Sequence, residues 1–309
     1  MKERIFHIRN IIQEFLDIKS LLCRSQPRLS NSAALLKKAI QSVGRRINYI
    51  IMLNKRKILG NGSLPDFLII GAQKAGTTTL FYYLTKSPQI LAPLRKEIHY
   101  FDQLNPKALS WYRAHFPSRH ELISRGCITG EATPFYIFHP EAPYRIAAAG
   151  LSPKIVAILR RPDERAFSHW RHERRKGREM LSFVESIEVE PKRLHYTTNK
   201  VLGRAHLEAL RRYSYFNRGL YDRQLQKYAE VFGREKLLII TLDSLSLHPY
   251  ETIIKVCNFL QISAPNNINI KVMNKGQQCN VAESEIALIK KKYYKEYVNI
   301  REWIGDAWD

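Results

Sequence analysis

Residues 67–79 read Phe-Leu-Ile-Ile-Gly-Ala-Gln-Lys-Ala-Gly-Thr-Thr-Thr, and the fold prediction starts from this stretch. Its apolar beginning, Phe67–Gly71, predicts a short buried strand, and the run Thr78–Thr85 predicts a helix. The glycine-bearing turn between them would present backbone N–H groups and the positive end of a helix dipole to an anion. The stretch therefore predicts a strand, an anion-binding loop and a helix, in that order.

The rest of the chain continues this alternation of strands and helices. Further strands are predicted at Cys127–Gly130, Lys154–Leu159 and Lys236–Thr241, and helices at Leu220–Phe232, Tyr250–Leu260 and Ala282–Tyr297. Such alternation is typical of an α/β fold with a central parallel sheet flanked by helices, here with a P-loop-like first turn. Ligands of these sheets bind at the carboxyl ends of the strands.

The loop differs from the phosphate loop of ordinary kinases and NTPases. The pattern G-x-x-x-x-G-K-[ST] would require lysine at position 77, where this chain has Thr77. The lysine of this loop is Lys74, three positions earlier, where it would lie near a 5′-phosphate and its leaving group. ATP or GTP hydrolysis is therefore disfavoured. A purely structural glycine-rich turn remains an alternative for the loop taken alone.

A second motif lies at residues 158–168, which read Ile-Leu-Arg-Arg-Pro-Asp-Glu-Arg-Ala-Phe-Ser. The predicted strand ends before Arg160, Pro162 begins a helix, and Ser168 returns towards the arginine on that helix. A guanidinium and a hydroxyl could then converge on one phosphate. Taken alone, Arg160 could instead form a surface ion pair, and Ser168 could cap a helix.

Together the two motifs resemble the 5′-phosphosulfate loop and the 3′-phosphate segment of sulfotransferases that use 3′-phosphoadenosine 5′-phosphosulfate (PAPS). The resemblance is closest to the heparan sulfate glucosaminyl 3-O-sulfotransferases and their bacterial relatives. It runs from about Pro65 to the C-terminus and includes residues 96–102, 130–136 and 274–276. It implies a PAPS-dependent sulfotransferase that modifies a hydroxyl or amine on a glycan or glycolipid, with PAPS as co-substrate and no metal.

The resemblance also assigns roles to residues. Glu97 corresponds to the family's general base, and Lys74 and His99 complete the catalytic set. Arg95, Lys96 and Asp102 are expected at the acceptor, where His99 or Asp102 would orient it or the base. On the bare sequence alone, a solvated charge beside Arg95 and Lys96 is the favoured interpretation of Glu97. The residues expected to bind the donor are Lys74, Ala75, Gly76, Thr77, Thr78, Thr79, Arg160, Ser168, Lys275 and Gly276.

Two positions depart from the heparan sulfate branch. Ala132 stands where that branch carries a second lysine, which can touch both the leaving group and the acceptor. Cys279 could supply one half of the branch's C-terminal disulfide, but no later cysteine follows it. The acceptor geometry of the branch therefore cannot be copied. The donor-binding positions are unaffected.

The charge of the chain is strongly positive, with 50 Lys and Arg against 28 Asp and Glu in 309 residues. A basic helical extension is predicted at residues 1–64, followed by the sulfotransferase domain at residues 65–309. Apolar residues recur at helical spacing over residues 5–18 and again over residues 35–47, which predicts two amphipathic helices. Residues 1–58 could therefore contact an anionic membrane, or the helices could simply pack on the domain.

Several other expectations follow from what the sequence lacks. Its four cysteines are widely spaced, which favours reduced thiols and a cytoplasmic protein over a zinc site. A membrane span and a secretion signal are not expected. Nucleic acid is not an expected partner, because the chain has no recognition motif for it. Two alternatives stay open: a sulfotransferase of a small-molecule acceptor, and a nucleotide-binding module without catalysis.

Overall fold

The computed structural model describes residues 29–60, 62–195, 203–265 and 283–308. The chain divides into two compact units, residues 1–59 and 60–309. The described residues of the first unit form helix α1, which spans Leu29–Leu59. The amphipathic helix predicted over residues 35–47 is therefore part of this longer helix. The helix predicted over residues 5–18 lies outside the described residues. The predicted domain boundary after residue 64 stays a prediction.

The second unit contains a sheet of four parallel strands in the order β2-β1-β3-β4. The strands are β1 (Phe67–Gly71), β2 (Gly130–Ala132), β3 (Lys154–Leu159) and β4 (Leu237–Thr241). The chain passes from β1 to β2 on one side and then crosses to β3 on the other. The predicted α/β fold with a central parallel sheet is confirmed.

Helices of the second unit connect and follow the strands. In chain order they are α2 (Thr77–Leu84), α3 (Leu109–Arg113), α4 (Arg119–Ser124), α5 (Ala142–Ala148), α6 (Pro162–Arg175), α7 (Phe183–Glu188), α8 (Glu190–His195), α9 (Arg204–Tyr213), α10 (Asp222–Phe232), α11 (Leu242–Leu247), α12 (Pro249–Leu260), α13 (Glu283–Lys292), α14 (Tyr294–Asn299) and α15 (Arg301–Ile304). Short 3₁₀ turns lie at Asn217–Gly219 and Arg234–Lys236. None of the helices in the described ranges is both long and apolar enough to cross a membrane.

Alternate residues of the central strands supply two separate cores, because successive side chains of a strand point to opposite faces. On one face, Leu68 and Ile155 lie in a cluster that includes Leu225 of α10. On the other face, Ile69 and Val156 lie in a cluster with helices α2 and α12. Burial on both faces explains why these strands are continuous apolar runs.

The structure corrects two of the predicted boundaries. The strand predicted at Cys127–Gly130 is β2, at Gly130–Ala132, because its register with β1 begins at the pair Phe67 and Gly130. The helix predicted over Ala282–Tyr297 is interrupted between α13 and α14 at Tyr293. That buried residue stacks on the ring of Phe216 and donates a hydrogen bond to its carbonyl at 2.8 Å.

Candidate active site

A cleft of about 1650 Å³ opens at the carboxyl ends of the strands. Residues that follow each of the four strands line this cleft: the loop after β1, Pro134 after β2, Arg160 after β3 and Leu242 after β4. The segment between α2 and α3 supplies Glu97 and His99 on the same cleft. The parallel sheet therefore brings together side chains that lie far apart in the sequence.

The loop after β1 has the backbone geometry of an anion site. Lys74 and Gly76 both have a positive φ, of 71° and 93°, and α2 begins at Thr77. The first N–H groups of a helix have no acceptor within it and can donate to a ligand. Glycine suits position 76 because a side chain is strained at this φ, and a Cβ there would also lie 2.9 Å from the end of the Leu242 side chain, which would have to shift.

The charge around the loop is positive and only partly compensated by carboxylates. The described cleft lining includes ten Lys or Arg side chains and three glutamates. Burial lowers the pKa of Lys74, and the neighbouring charges of Arg175 and Arg160 lower it further. Burial, with the charge of Lys74 next in importance, lowers the pKa of His172 to about 4. A bound anion would relieve this repulsion, so the cluster fits a ligand with several negative charges.

The segment after β3 follows the predicted design. Arg160 comes directly after the strand, α6 begins at Pro162, and Ser168 lies on the second turn of that helix. Arg160 and Ser168 both line the cleft. The Arg160 guanidinium also pairs with Glu164, with Nε and Nη2 each 3.0 Å from Oε2. The ion pair and the cleft position are thus both present.

Glu97 and His99 lie on a backbone that few residues other than glycine adopt. Their φ angles are 59° and 57°, in the left-handed region. The Glu97 carboxylate accepts a hydrogen bond from Lys96, and its Oε2 lies 3.8 Å from His99 Nε2. Hydrogen bonding to His99, which outweighs the opposing effect of burial, and to Lys96 lowers the pKa of Glu97 to about 2. The carboxylate is therefore ionised at neutral pH.

The other nitrogen of His99 contacts a buried acid. His99 Nδ1 lies 2.7 Å from Asp102 Oδ2, and that oxygen lies 3.2 Å from Arg211 Nη2 of α9. Burial alone would lower the pKa of His99, but hydrogen bonds to Asp102 and Glu97 raise it to about 9. The imidazole is therefore protonated at neutral pH, and the acids on either side hold its ring in place.

The predicted site residues divide into three groups. Lining the cleft are Lys74, Gly76, Thr77, Thr78, Thr79, Arg95, Glu97, His99, Arg160 and Ser168. Ala75 is buried in the core and offers only its backbone, and Asp102 is fully buried behind His99, while Lys96 contacts Glu97. Lys275 and Gly276 lie outside the described residues, so their role stays a prediction.

Several cleft residues were not predicted from the sequence. Arg171 and His172 of α6 follow Ser168 at helical spacing, and this periodicity could have identified them. Arg204, Arg211 and Arg212 come from α9, for which no motif exists in the sequence. Arg218, nearly buried, donates a hydrogen bond to Gln73 of the loop and lies 4.8 Å from the centre of the Phe135 ring. Only the folded chain relates these positions to the loop.

Comparisons with known proteins agree with this architecture. Residues 64–302 match the sulfotransferase domain family. The chain is 42% identical over 107 residues to the membrane-associated sulfotransferase kil1 of Dictyostelium discoideum, covering 35% of this chain and 22% of that protein. It is 31% identical over 201 residues to mouse heparan sulfate glucosamine 3-O-sulfotransferase 3A1, covering 65% of this chain and 47% of that protein. The chain thus spans about half the length of such curated relatives, or less.

A solved structure shares the fold. The crystal structure of a sulfotransferase from Alicyclobacillus acidocaldarius superposes with a TM-score of 0.59 and 27% identity, covering 78% of this chain and 95% of that one. The fold and cleft define an α/β protein with a P-loop-like turn at the carboxyl end of β1. Within that class, the chain belongs to the sulfotransferase domain family, as its motifs predicted.

Proposed function

We propose that this protein transfers a sulfuryl group from PAPS to a hydroxyl or amine of a glycan or glycolipid. The observation that carries the proposal is the meeting, in one cleft, of a cation-rich loop with the ionised carboxylate of Glu97. A negatively charged donor would bind at the loop, and a neutral acceptor would be deprotonated at the carboxylate.

Donor binding is assigned to the loop after β1 and to the segment after β3. Lys74 and the N–H groups that begin α2 would hold the 5′-phosphosulfate, where negative charge grows on the departing phosphate oxygen. Arg160 and Ser168 would hold the 3′-phosphate. Arg160 would then exchange its ion pair with Glu164 for charge-assisted hydrogen bonds to the phosphate.

The acceptor would attack sulfur in line with the leaving oxygen, and Glu97 would take its proton. Once the acceptor oxygen has bonded to sulfur its proton is strongly acidic, so a weakly basic carboxylate suffices late in the transfer. His99 cannot accept a proton at neutral pH while Asp102 and Glu97 keep it charged. Its role here is to orient the Glu97 carboxylate.

A glycan acceptor is favoured by both the relatives and the cleft. The mouse relative is named for heparan sulfate glucosamine, and the residues that line the cleft include Trp111 together with Arg95, Arg204 and Arg212. Aromatic and guanidinium side chains in one cleft suit a saccharide that carries negative charge. A small-molecule acceptor remains the alternative, and an acceptor panel assayed with labelled PAPS separates the two. Binding of the product nucleotide without transfer to any acceptor would contradict the enzymatic proposal.

The 3′-phosphate assignment gives a first prediction. Replacing Arg160 or Ser168 by alanine should weaken PAPS binding by about tenfold to 150-fold, since a hydrogen bond to a charged group contributes about 1.5–3 kcal/mol. Adenosine 5′-phosphosulfate lacks the 3′-phosphate and should lose little. Calorimetric titration of both nucleotides measures the difference.

Arg161→Ala is the matched control for this experiment. It removes the same group one residue later, but Arg161 pairs with Asp243 and donates to the Trp308 carbonyl rather than lining the cleft. Its donor affinity should equal that of the wild type. Equal losses for the two nucleotides in the Arg160 variant would refute a 3′-phosphate site.

We also propose that α1 contacts an anionic membrane surface. Ile40, Ile47, Ile51 and Ile58 follow one another at intervals of seven, four and seven residues, which places them on one face of the helix. Between 43% and 74% of each side chain is exposed. The helix has seven Lys or Arg and no acidic residue. Exposed isoleucines backed by cations are typical of interfacial helices.

A second prediction tests this surface on the full chain. Sedimentation with phosphatidylcholine vesicles containing phosphatidylserine should carry the protein down, and neutral vesicles should carry much less. The double change Ile47→Asp with Ile51→Asp should abolish binding, because it places charges on the apolar face. Gln41→Asp with Ser42→Asp adds the same charge off that face and should retain more binding. Equal losses, or self-association through the isoleucines, would contradict membrane contact.

A further inference from the structure

A buried carboxylate lies behind the segment that carries Glu97 and His99. Glu131, at the centre of β2, is fully buried, and its Oε1 accepts hydrogen bonds from the hydroxyls of Tyr112 at 2.8 Å and Tyr136 at 3.0 Å. Both tyrosines are also fully buried. None of these three residues lines the cleft among the described residues, so none would touch the substrates.

The two tyrosines differ in what else their hydroxyls bind. The Tyr136 hydroxyl accepts the backbone N–H of Tyr100 at 2.9 Å and that of Phe101 at 3.4 Å, while it donates to Glu131. The Tyr112 hydroxyl donates to Glu131. Tyr136 is therefore the link between the buried acid and the backbone just beyond His99.

Glu131 also reaches that backbone directly. Its carboxylate accepts a hydrogen bond from the backbone N–H of Ile98, which lies between Glu97 and His99. Three backbone groups in the segment from residue 98 to residue 101 are thus held by one carboxylate and one hydroxyl. Along the chain, Ile98 follows Glu97 and Tyr100 follows His99, so an anchored N–H group comes directly after each residue with a positive φ.

Those positive φ angles need support. A left-handed conformation at a non-glycine residue persists only where the surrounding structure holds it. At Glu97 and His99 it turns the two side chains towards the cleft, and the hydrogen bonds to Tyr136 and Glu131 fix the backbone on either side of His99. Loss of this anchor would let the segment relax and move the carboxylate away from the acceptor.

The cost of burying an acid argues that the arrangement does more than fill space. Burial raises the pKa of Glu131 to about 7, despite hydrogen bonds from Tyr112, Tyr136 and Thr133. Apolar side chains of similar volume would pack in the same core without this cost. What they could not do is accept the N–H groups of the segment.

We propose that Tyr136, held by Glu131, is a positioning residue that fixes the backbone around His99 so that Glu97 can reach the acceptor. This inference rests on the proposed sulfotransferase function. It assigns a role to two residues that touch neither substrate. Their effect on the reaction would pass entirely through the backbone of residues 98–101.

The matched pair Tyr136→Phe and Tyr112→Phe tests the proposal. Each change removes one fully buried hydroxyl that donates to the same oxygen of Glu131, so both melting temperatures should fall, and that of Tyr136→Phe should fall further because it also leaves two backbone N–H groups without an acceptor. Only Tyr136→Phe frees the N–H groups of Tyr100 and Phe101. We expect its kcat to fall by about tenfold to a hundredfold, since misplacement by an ångström can cost that much. Tyr112→Phe should keep a kcat within about threefold of the wild type.

Two further measurements make the test independent of turnover. Affinity for 3′-phosphoadenosine 5′-phosphate should be unchanged in both variants, because the donor residues lie on other segments. Amide hydrogen exchange at Tyr100 and Phe101 should accelerate in Tyr136→Phe and not in Tyr112→Phe.

The outcomes separate the two proposals. Equal losses of kcat in both variants, or unchanged exchange at Tyr100 in Tyr136→Phe, would overturn the positioning role while leaving the sulfotransferase proposal intact. Absence of transfer by the wild-type protein to every acceptor would instead overturn the proposed function.

Discussion

Replacing Glu97 by glutamine is expected to lower the rate of sulfuryl transfer by at least about a hundredfold, a magnitude typical of general bases. Glutamine keeps the size of the side chain and one oxygen that can accept hydrogen bonds from Lys96 and His99. It cannot take the proton of the acceptor. Affinity for the donor should survive, because the donor residues belong to other segments. Single-turnover assays with PAPS preloaded on the enzyme isolate the transfer step.

His99 is the competing base, and His99→Asn is the comparison. Because hydrogen bonds to Asp102 and Glu97 keep the imidazole charged below about pH 9, its removal should weaken transfer only through the orientation of Glu97. We therefore expect a smaller loss than for Glu97→Gln. A much larger loss for the histidine variant would transfer the role of base to His99.

The pH dependence of the transfer rate also distinguishes Glu97 from His99 as the base. Glu97 has a lowered pKa of about 2 and is ionised throughout the neutral range, so it should produce no acidic limb in the transfer rate between about pH 5 and pH 8. If His99 were the base, it would have to lose its proton first. The rate would then rise steadily with pH over this interval, towards the raised pKa of about 9.

Replacing Lys74 by alanine is expected to have an effect at least as large, a fall of about 10²–10³ in kcat. The ammonium group would face charge that develops on the leaving phosphate oxygen mainly in the transition state. The loss should therefore appear in kcat more than in donor affinity. Rapid-quench measurement of transfer from bound PAPS gives this quantity directly.

Lys176→Ala is the control for Lys74→Ala. Lys176 also lines the cleft and belongs to the same cationic cluster, since its charge helps to lower the pKa of Lys74. It lies beyond α6 rather than in the loop, so its removal should reduce kcat by less than about tenfold. Similar kcat values for the two variants would mean that Lys74 contributes only to the general field of the cleft.

Replacing Lys74 by alanine should not lower the stability of the folded protein, although it lowers activity. Burial and the nearby arginines oppose the charge of Lys74 in the folded, ligand-free protein. The Lys74→Ala variant should therefore melt at the same temperature as the wild type, or higher. Such a trade between activity and stability is characteristic of functional sites. A clear loss of stability would indicate that the lysine is structural.

Local patterns in the sequence were enough to predict the fold and the two segments, after β1 and β3, that line the cleft. The strands Phe67–Gly71 and Lys154–Leu159 were predicted at their observed bounds, because buried parallel strands are short continuous apolar runs. The loop with Lys74 and the Arg160 segment are contiguous motifs that follow those strands. Side chains that directly follow buried strands can be placed from the sequence, because the carboxyl ends of parallel strands lie at the same edge of the sheet.

The ionisation and backbone conformation around Glu97 and His99 were decided only by the tertiary structure. The ionisation of His99 depends on Asp102, whose carboxylate is held by Arg211, more than a hundred residues later. The anchoring of the same segment depends on Tyr136 and Glu131 of another element. A pKa and a strained backbone are set by neighbours in space, with energies that depend on burial and distance. Burial and distance are fixed only when packing brings those neighbours together, so a pattern along the chain cannot predict them.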